Sequence, residues 1–186
     1  MPNEIEIKLP LAGAAEGRKL LGGAGFRVSR RRVLESNTLF DTSQRLLGCE
    51  GCMLRIRQAG RHAVLTFKGP TTIGKHKSRE ELEVEFSDAP KLAAMLARLH
   101  FRPTLLYEKY RTEYRRQGES GMATLDEVPF GAFIELEGAP RWIDRTARRL
   151  GFQESSYITD SYYGLYVAHC RAHRKTPGDM TFRRHA

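Results

Sequence analysis

The sequence predicts an α+β fold in which eight antiparallel β-strands form a barrel and helices pack outside it. Several short segments alternate charged and apolar residues with period two, which is typical of strands that bury one face. These segments are spread evenly along 186 residues and lack the strict strand–helix alternation of parallel sheets. Amphipathic helical segments lie between some of them. Because closing eight strands into a barrel removes the exposed sheet edges, we expect a closed barrel.

The strands are predicted from this alternation and from the turn residues that separate the segments. In the first strand Glu4, Glu6 and Lys8 share one face, and the apolar residues between them share the other. The same division into a polar and an apolar face recurs along the chain. The predicted strands are Asn3–Leu9, Ser36–Asp41, Met53–Gln58, His62–Lys68, Arg79–Phe86, Leu106–Arg116, Met122–Glu127 and Ala132–Glu137.

The first two predicted helices cover Ala12–Leu21 and Ala89–His100. Asp88 precedes the second of these and is a suitable N-cap, because its carboxylate can accept hydrogen bonds from the free N–H groups of the first turn. Apolar residues recur in this second helix at helical spacing. Its predicted buried face contains Leu92, Met95, Leu96 and Leu99.

The last two predicted helices follow the final strand. Pro140 stands where a first-turn proline is favourable and Gly151 stands where a glycine ends a helix, so we predict a helix from Pro140 to Leu150. A final helix, rich in tyrosine, is predicted at Asp160–His169. The inward face of the helix that begins at Pro140 is predicted to contain Ile143, Ala147 and Leu150.

Length, composition and charge indicate one globular domain with an anionic partner. Of the 186 residues 40% are hydrophobic and 28% are charged, which is ordinary for a domain with its own core. The net charge of +9 and the pI near 9.7 indicate a polyanionic partner. Part of this charge lies in a C-terminal segment that has no apolar period and contains Pro177 and Gly178. We therefore predict a domain at residues 1–168 and a basic, mostly disordered tail at residues 169–186.

Several classes of protein are disfavoured. No segment approaches the roughly 20 apolar residues of a membrane span, and the chain enters a strand at once instead of showing a signal-peptide pattern. Three cysteines argue against a disulfide framework. We therefore expect a cytoplasmic protein with no membrane partner. No helix is expected to carry a clear basic stripe, so we also expect no stable nucleic-acid partner.

Two local motifs have alternative interpretations. Gly69–Lys75 matches most of a P-loop, but His76 stands where that motif needs Ser or Thr, and a strand follows instead of a helix. A mobile hairpin loop is therefore favoured. Cys49 and Cys52 form a single CxxC, whereas a zinc site needs two further ligands. Surface cysteines without a role are favoured, and a reactive or redox role stays open.

The polar faces of the predicted strands carry carboxylates in some strands and arginine or lysine in others. If helices cover the apolar faces from outside, the charged faces point into the barrel. A charged interior is costly unless its charges are paired, hydrated or neutralised by ligands. Carboxylate oxygens suit Mg²⁺ or Mn²⁺, and arginine and lysine suit phosphate oxygens. The pattern favours a polyanion bound with a divalent metal over the alternative, in which the charged faces are solvated and linked by salt bridges.

An ordered set of motifs resembles the CYTH superfamily, the triphosphate tunnel metalloenzymes. Glu4-x-Glu6-x-Lys8 resembles the ExExK signature of that family, and the resemblance covers about residues 3–167. Leu39 stands where the family often has tyrosine. The other matching segments are Phe40-Asp41, Leu54-Arg55-Ile56-Arg57, Thr66-Phe67-Lys68-Gly69-Pro70, Arg79-x-Glu81-x-Glu83, Lys109-Tyr110-Arg111, Asp126-Glu127-Val128, Glu135-Leu136-Glu137 and Ser161-Tyr162-Tyr163-Gly164-Leu165.

The resemblance implies an eight-stranded antiparallel tunnel that binds a triphosphate together with Mg²⁺ or Mn²⁺. The metal-binding candidates are Glu4, Glu6, Asp126, Glu135 and Glu137. The triphosphate-binding candidates are Lys8, Arg55, Arg57, Lys68, Arg79, Lys109 and Arg111. The catalytic candidates are Glu4, Glu6, Lys8, Glu135 and Glu137. Glu81 and Glu83 would either orient cations on the basic wall or hold a second metal.

The resemblance leaves three functions open. In the first, an activated water hydrolyses inorganic triphosphate, ATP or another organic triphosphate. In the second, the ribose 3′-oxygen of ATP attacks the α-phosphorus and gives cyclic AMP and pyrophosphate, as in class IV adenylyl cyclases. In the third, the tunnel binds a nucleotide or polyphosphate without catalysis. We expect hydrolysis, because no adenine pocket is identifiable in the sequence and because binding alone needs few carboxylates. A homodimer is also expected from the resemblance.

Overall fold

A computed structural model describes residues 3–183 of the chain. A short 3₁₀ turn is formed by Glu154–Ser156. The strands are β1 (Asn3–Leu11), β2 (Arg27–Thr42), β3 (Met53–Ala59), β4 (His62–Lys68), β5 (Thr72–Ile73), β6 (Lys77–Phe86), β7 (Phe101–Arg115), β8 (Met122–Val128) and β9 (Gly131–Glu137). The helices are α1 (Ala14–Gly23), α2 (Leu46–Cys49), α3 (Ala89–Arg98), α4 (Pro140–Arg149) and α5 (Tyr162–Ala172).

Eight of the strands close into an antiparallel barrel. Their order around the barrel is β1, β9, β8, β7, β2, β3, β4 and β6, and β6 pairs back with β1. The two-residue strand β5 was not predicted, and it pairs with the beginning of β6. The α+β fold class, with an eight-stranded antiparallel barrel and helices outside, is confirmed.

The main hydrophobic core lies between the outer face of β1, β8 and β9 and the helices α1 and α4. Ile7 and Leu9 of β1 are fully buried there, which leaves the alternate residues of β1 to face the inside of the barrel. On α4 the predicted inward residues are buried as expected. Gly17 lets α1 lie close to β8, since a side chain at that position would collide with Leu125. The core residues contributed by α4 are Trp142, Ile143, Ala147 and Leu150.

Helix α3 covers a second core cluster that includes Phe40 and Ile56. Asp88 caps the helix as predicted, since its carboxylate accepts a hydrogen bond from the N–H of Lys91. The predicted buried face was too wide, because Met95 and Leu99 are 57% and 63% exposed. The helix buries Leu96 and turns Leu92 and Ala93 partly inward, so the other two residues lie on its flank.

Strands β2 and β7 are longer than predicted. β2 begins at Arg27, upstream of the predicted start at Ser36, and β7 begins at Phe101, upstream of Leu106. The extra length of β2 contains the Arg30–Arg32 run, which breaks the alternation of polar and apolar residues. The two strands still pair with each other there, through register shifts, so the ladder forms despite the irregular pattern.

Helix α4 carries a row of arginines on its outer face, and the expectation that no helix carries a basic stripe was wrong. Arginine side chains cover that face because every apolar position of α4 is used against the barrel. Among residues 3–183, only Arg149 of this row forms an ion pair, with Glu119. The exposed residues of the row are Arg141, Arg145, Arg148 and Arg149. No helix within residues 3–183 has the length and apolar character needed to cross a membrane.

The C-terminal segment was predicted to be disordered, and this was wrong as far as residue 183. Helix α5 continues to Ala172, and the chain then returns to β7. Met180 is fully buried; its N–H donates to the carbonyl of Leu106 at 3.0 Å, and its carbonyl accepts from the N–H of Glu108 at 2.8 Å. Residues 184–186 of the predicted tail lie outside the described residues.

The C-terminal segment is ordered for a simple physical reason. β7 pairs with β8 only from Tyr110 onward, so the preceding part of β7 has an edge that β8 does not cover. The C-terminal segment occupies that edge and satisfies its backbone groups. Phe182 packs against Tyr110, with ring centroids 4.9 Å apart, which adds apolar contact to the backbone pairing.

Candidate functional site

A charged cavity of about 420 Å³ lies inside the barrel. It is lined by residues of β1, β2, β3, β4, β6, β7, β8 and β9, together with the beginning of α5. The structure therefore brings together almost all of the predicted site residues, which come from distant parts of the sequence. The predicted residues that line it are Glu4, Glu6, Lys8, Arg55, Arg57, Lys68, Arg79, Glu81, Glu83, Lys109, Arg111, Glu135 and Glu137.

Asp126 is the exception, because it is fully buried and does not line the cavity. Its carboxylate accepts hydrogen bonds from Arg111 Nε at 2.7 Å, from Lys109 Nζ at 2.9 Å and from the Tyr162 hydroxyl at 2.8 Å. Burial alone would raise the pKa of Asp126, but the charges of Arg111 and Lys109 lower it. With these donors around it, Asp126 is placed to orient two cations. The metal-binding role implied for Asp126 stays a prediction, because in this arrangement its oxygens contact only donors of the protein itself.

Glu135 extends this network to the cavity surface. It accepts from Arg111 at 2.5 Å and lies 3.4 Å from Lys8 Nζ. Its burial favours the neutral acid, yet Arg111 and Lys8 hold its pKa well below the ordinary value. We call Lys109, Arg111, Asp126, Glu135 and Tyr162 the paired cluster, because each of its charges has an opposite charge in contact. Such a cluster is stable in a low-dielectric interior only while every partner is present.

Lys8 and Lys77 both contact Glu6, at 3.1 Å and 2.6 Å. Burial acts against the charge of Lys8, but Glu6 and Glu135 raise its pKa. Lys8 and Lys109 also lie 5.1 Å and 5.2 Å from the ring of Tyr162. The ammonium groups of Lys8 and Lys109 are thus each held by carboxylates and by the aromatic face of Tyr162.

The opposite wall is basic and is formed mainly by β3 and β4. Arg55 donates to the Tyr107 hydroxyl and to Thr66, each at 3.1 Å. Arg57 pairs with Glu83 at 3.2 Å, and Glu83 also accepts from Thr66 at 2.8 Å. The arginine forks are thereby held toward the cavity in the geometry that suits phosphate oxygens.

On the same wall Lys68 lies between two carboxylates. It contacts Glu4 at 2.5 Å and Glu81 at 3.0 Å. Burial, together with the nearby charge of Glu4, raises the pKa of Glu81 although Lys68 acts in the opposite direction. Glu81 and Glu83 thus contact cations of the basic wall, and both roles considered for them stay predictions.

Arg79 lacks a carboxylate partner among residues 3–183. Its guanidinium donates to Thr71 Oγ1 at 3.2 Å and approaches the sulfur of Met53 at 3.9 Å, and its Nε is buried without a hydrogen bond. Burial lowers its pKa, despite the charges of Glu4 and Glu6. A half-buried cation without a carboxylate in contact favours an anionic ligand, because a phosphate would replace the hydration that burial removed.

Glu137 is the acidic counterpart of Arg79. Its carboxylate forms no ion pair with a residue in the range 3–183, and it stands opposite Glu6 in the pairing of β1 with β9. Burial, and next the charges of Glu4 and Glu135, raise the pKa of Glu137 to about 7. Like charges opposite one another on neighbouring strands are unfavourable, so this position favours a cation.

The donor chemistry fits a divalent cation. Glu4, Glu6, Glu135 and Glu137 present carboxylate oxygens from the neighbouring strands β1 and β9. Within residues 3–183 no three acidic, histidine or cysteine side chains converge as a ready-made metal cage. Mg²⁺ does not require one, since it is commonly held by one or two carboxylates with water and substrate phosphates completing the octahedron.

Several lining residues were missed from the sequence. Glu35 is almost fully buried and lies 3.7 Å from Lys109 Nζ, and Lys77, which precedes the predicted strand Arg79–Phe86, belongs to β6. Tyr107 holds Arg55, and Tyr162 of the tyrosine-rich final helix lines the cavity although it was not among the predicted site residues. A longer β2 would have revealed Glu35, because it continues the alternation of that strand.

A barrel of this topology with paired carboxylates and cations inside defines the triphosphate tunnel fold. The family model of the CYTH domain matches residues 2–162, and the chain therefore belongs to the CYTH domain family. Members of this family are adenylyl cyclase or triphosphatase-like enzymes, and they bind triphosphate substrates such as ATP.

Three known proteins illustrate the relationship. A Methanocaldococcus jannaschii protein with the name "Putative adenylate cyclase MJ0240" is 30% identical over 135 residues, which are 72% of this chain and 75% of that protein. The PH1819 protein of Pyrococcus horikoshii has a TM-score of 0.74 at 27% identity, covering 89% of this chain and 99% of its own. HpAC1 of Hippeastrum, whose structure is described as revealing a dominant triphosphatase activity, has a TM-score of 0.65 at 21% identity, covering 95% and 98%.

Proposed function

We propose that this protein is a metal-dependent triphosphatase that hydrolyses inorganic triphosphate or an organic triphosphate inside the barrel. The observation that carries the proposal is a pair of largely buried charges in one cavity, the cation Arg79 and the carboxylate Glu137, neither of which forms an ion pair with another of the residues 3–183. An anionic chain bound with a divalent cation would satisfy both. The proposal is further supported by membership of a family of triphosphate-processing enzymes.

Substrate binding is assigned to the basic wall. Arg55, Arg57 and Arg79 offer planar forks for phosphate oxygens, and Lys68 offers a point charge between Glu4 and Glu81. These side chains are already held by the protein, so little conformational entropy remains to be lost when the triphosphate binds. Phosphoryl transfer depends mainly on such positioning and on charge neutralisation.

The carboxylates of β1 and β9 are assigned to Mg²⁺ or Mn²⁺. Glu137 and Glu4 would hold the cation, with Glu6 and Glu135 beside them already bound to Lys8. A bound divalent cation supplies charge neutralisation on the phosphates and a more acidic water. Lys8 would face the same phosphate oxygens from the side of the paired cluster, since its ammonium lies between Glu6 and Glu135.

Adenylyl cyclisation is the second candidate. A smaller cavity of about 280 Å³ adjoins the tunnel at Arg30, Arg57 and Glu83, and it offers space for a nucleoside outside the triphosphate chamber. Within the described residues no Phe, Tyr or Trp lines this smaller cavity; its remaining walls come from Ala59, His62, Val64 and Glu85. Hydrolysis is preferred because it needs only the groups of the tunnel itself. A non-catalytic binding module is disfavoured, because the carboxylates of β1 and β9 would only weaken the binding of a bare anion.

The test is to incubate the purified protein with Mg²⁺ or Mn²⁺ and, separately, with inorganic triphosphate and with ATP. Orthophosphate, pyrophosphate and cyclic AMP would then be resolved. Orthophosphate from inorganic triphosphate is the expected product. Cyclic AMP with an equal amount of pyrophosphate would replace the proposal with the cyclase. Tight triphosphate binding without any product would replace it with the binding module.

Glu137→Gln is the matched variant for this test, because the substitution breaks no ion pair among the described residues 3–183. We expect it to lose metal-dependent turnover while triphosphate still binds in the absence of metal. Glu113→Gln is the control: this residue also lines the cavity, but it pairs with Arg30 near the surface. Equal turnover in both variants would contradict the metal-binding role of Glu137.

A further inference from the structure

A cluster of polar side chains outside the tunnel ties one hairpin of the barrel to helix α4. The hairpin joins β5 to β6, and its turn contains Lys75 and His76. The carboxylate of Asp144 on α4 accepts a hydrogen bond from His76 Nε2 at 2.8 Å and pairs with Lys75 Nζ at 3.0 Å. The Tyr157 hydroxyl donates to the same carboxylate at 3.2 Å. We call Asp144 and its three donors, Lys75, His76 and Tyr157, the latch.

The contact between His76 and Asp144 is the part of the latch that is best shielded from water. The side chains of His76 and Asp144 are 12% and 21% exposed, whereas that of Lys75 is 40% exposed and is shared with Glu154. Burial alone would raise the pKa of Asp144, but the hydrogen bonds from His76 and Lys75 lower it. An ionised carboxylate only accepts hydrogen bonds, so His76 donates from Nε2 whether its ring is neutral or charged.

The turn of this hairpin has little other support within residues 3–183. β5 consists of two residues, and its pairing is with β6. The ladder between β6 and β1 ends at the pair of Lys77 with Glu6. The end of a ladder opens more readily than its middle, because no further pair supports it. His76 stands directly before Lys77 in the chain, so the latch holds the end of the ladder in place.

Lys77 connects the latch to the inside of the tunnel. Its ammonium lies 2.6 Å from Glu6, which also lies 3.1 Å from Lys8, and all three residues line the cavity. If the turn moved, Lys77 would leave Glu6, and among residues 3–183 that buried carboxylate would then contact Lys8 alone. A carboxylate that is less well neutralised repels phosphate oxygens in the same cavity.

We propose that Asp144 is a positioning residue for triphosphate binding. Through the latch it keeps Lys77 in contact with Glu6, although Asp144 itself does not touch the substrate. This role rests on the proposed function, since it concerns the binding of a triphosphate in the same tunnel. General electrostatics act in the opposite direction, because a protein that loses a carboxylate becomes more positive and attracts a polyanion more strongly. The sign of the change in affinity therefore separates the two effects.

The test compares Asp144→Ala with Asp160→Ala by calorimetry with inorganic triphosphate in the absence of metal. Asp160 is exposed and forms no ion pair or side-chain hydrogen bond among residues 3–183, so the control removes the same charge without opening the latch. We expect about tenfold weaker binding for Asp144→Ala, a common loss when a residue that orients a binding group is removed. Asp160→Ala should bind with unchanged or higher affinity.

Three results of this comparison would overturn the proposal. The first is unchanged or tighter binding by Asp144→Ala, and the second is an equal loss in Asp160→Ala. The third is a lower unfolding free energy of Asp144→Ala at unchanged affinity, which would show a contact that only stabilises the fold. Calorimetry reports binding whether or not the triphosphate is hydrolysed. A protein that binds triphosphate without turnover would therefore contradict the proposed function and still decide the role of Asp144.

Two further measurements examine the latch itself. If Asp144 acts through His76, the double variant His76→Ala/Asp144→Ala should bind triphosphate no more weakly than Asp144→Ala, and additive losses would contradict this. Hydrogen exchange of the backbone amides of residues 72–78 needs no ligand. It should be faster in Asp144→Ala than in the parent protein and in Asp160→Ala. Equal exchange would overturn the proposal, even if the parent protein bound no triphosphate and the proposed function had failed.

Discussion

The paired cluster and the two unpaired charges of the cavity differ in what holds them. In the paired cluster Arg111, Lys109 and Tyr162 surround Asp126, so the protein itself neutralises every charge. Arg79 and Glu137 lack such partners among residues 3–183, and burial shifts the pKa of each toward its neutral form. The difference separates a charge network that stabilises the fold from charges that only a ligand would satisfy.

The largest effect is expected for Asp126→Asn, which breaks the paired cluster. Removal of the carboxylate charge leaves Arg111 with Glu135 alone and Lys109 with the more distant Glu35. Breaking a buried ion pair costs about 3–5 kcal/mol of unfolding free energy. Urea denaturation at pH 7 measures this loss. A loss below about 1 kcal/mol would show that the cluster does not stabilise the fold and would remove the basis of the comparison.

Glu137→Gln is expected to raise the unfolding free energy, whereas Asp126→Asn lowers it. A carboxyl whose pKa rises from 4.5 to about 7 on folding destabilises the folded state when it is ionised. The favourable contribution of the protonated carboxyl to the unfolding free energy is complete below pH 4.5, and it is lost as the pH rises through about 7. In the absence of metal and substrate, the variant should therefore exceed the parent protein in unfolding free energy by up to about 3 kcal/mol at pH 8.

The pH dependence of that difference is the control. Near pH 4 the variant and the parent protein should unfold at the same urea concentration, because Glu137 is then protonated in both states. The paired cluster should show the opposite pH dependence. Because the pKa values of Asp126 and Glu135 are lowered in the folded protein, their contribution to the unfolding free energy is lost as the pH falls. A Glu137→Gln advantage that persisted unchanged at pH 4 would contradict the assignment.

Arg79→Met is expected to weaken ligand binding while sparing stability. The substitution removes a half-buried cation that forms no ion pair with a carboxylate of residues 3–183, so none of these carboxylates is left unpaired. A charge-assisted hydrogen bond to a phosphate contributes about 1.5–3 kcal/mol, which corresponds to a loss of about 10-fold to 150-fold in triphosphate affinity. Calorimetry with inorganic triphosphate in the absence of metal measures it. Unchanged affinity would mean that Arg79 does not face the substrate.

The smallest effect is expected for Tyr162→Phe. The hydroxyl is one neutral donor among the several groups that surround Asp126, and both cations remain in place when it is removed. We expect a loss of about 1–2 kcal/mol in unfolding free energy. Urea denaturation of Tyr162→Phe and of Asp126→Asn under the same conditions compares the two losses in unfolding free energy. A loss as large as that of Asp126→Asn would show that the hydroxyl, and not the two cations, neutralises the carboxylate.

Much of the cavity was predictable because alternation assigns a face to each residue of a strand. Glu4, Glu6, Lys8, Arg55 and Arg57 were all placed on the polar face, and the structure lines the cavity with each of them. The prediction was weaker where alternation fails. The Arg30–Arg32 run concealed the first half of β2, and with it the inward position of Glu35.

The ordered C-terminal segment could not be predicted for a different reason. Residues 173–183 have no pattern of their own, and their order comes from an edge of β7 that exists only once β8 has paired beyond it. The exposure of Met95 and Leu99 on α3 has a similar origin. Their spacing suits a buried face, but the position of the helix on the barrel decides which residues that face contains.

The sequence by itself determined the antiparallel strands, the division of each strand into a charged and an apolar face, and the chemistry of the charged residues, because a period of two is a local property of the chain. Only the tertiary structure decided which charges are paired. The carboxylate of Asp126 accepts hydrogen bonds from residues of β7 and α5, and Glu137 is left beside other carboxylates. Pairing depends on distances between strands that are remote in sequence, and those distances exist only after the barrel has closed.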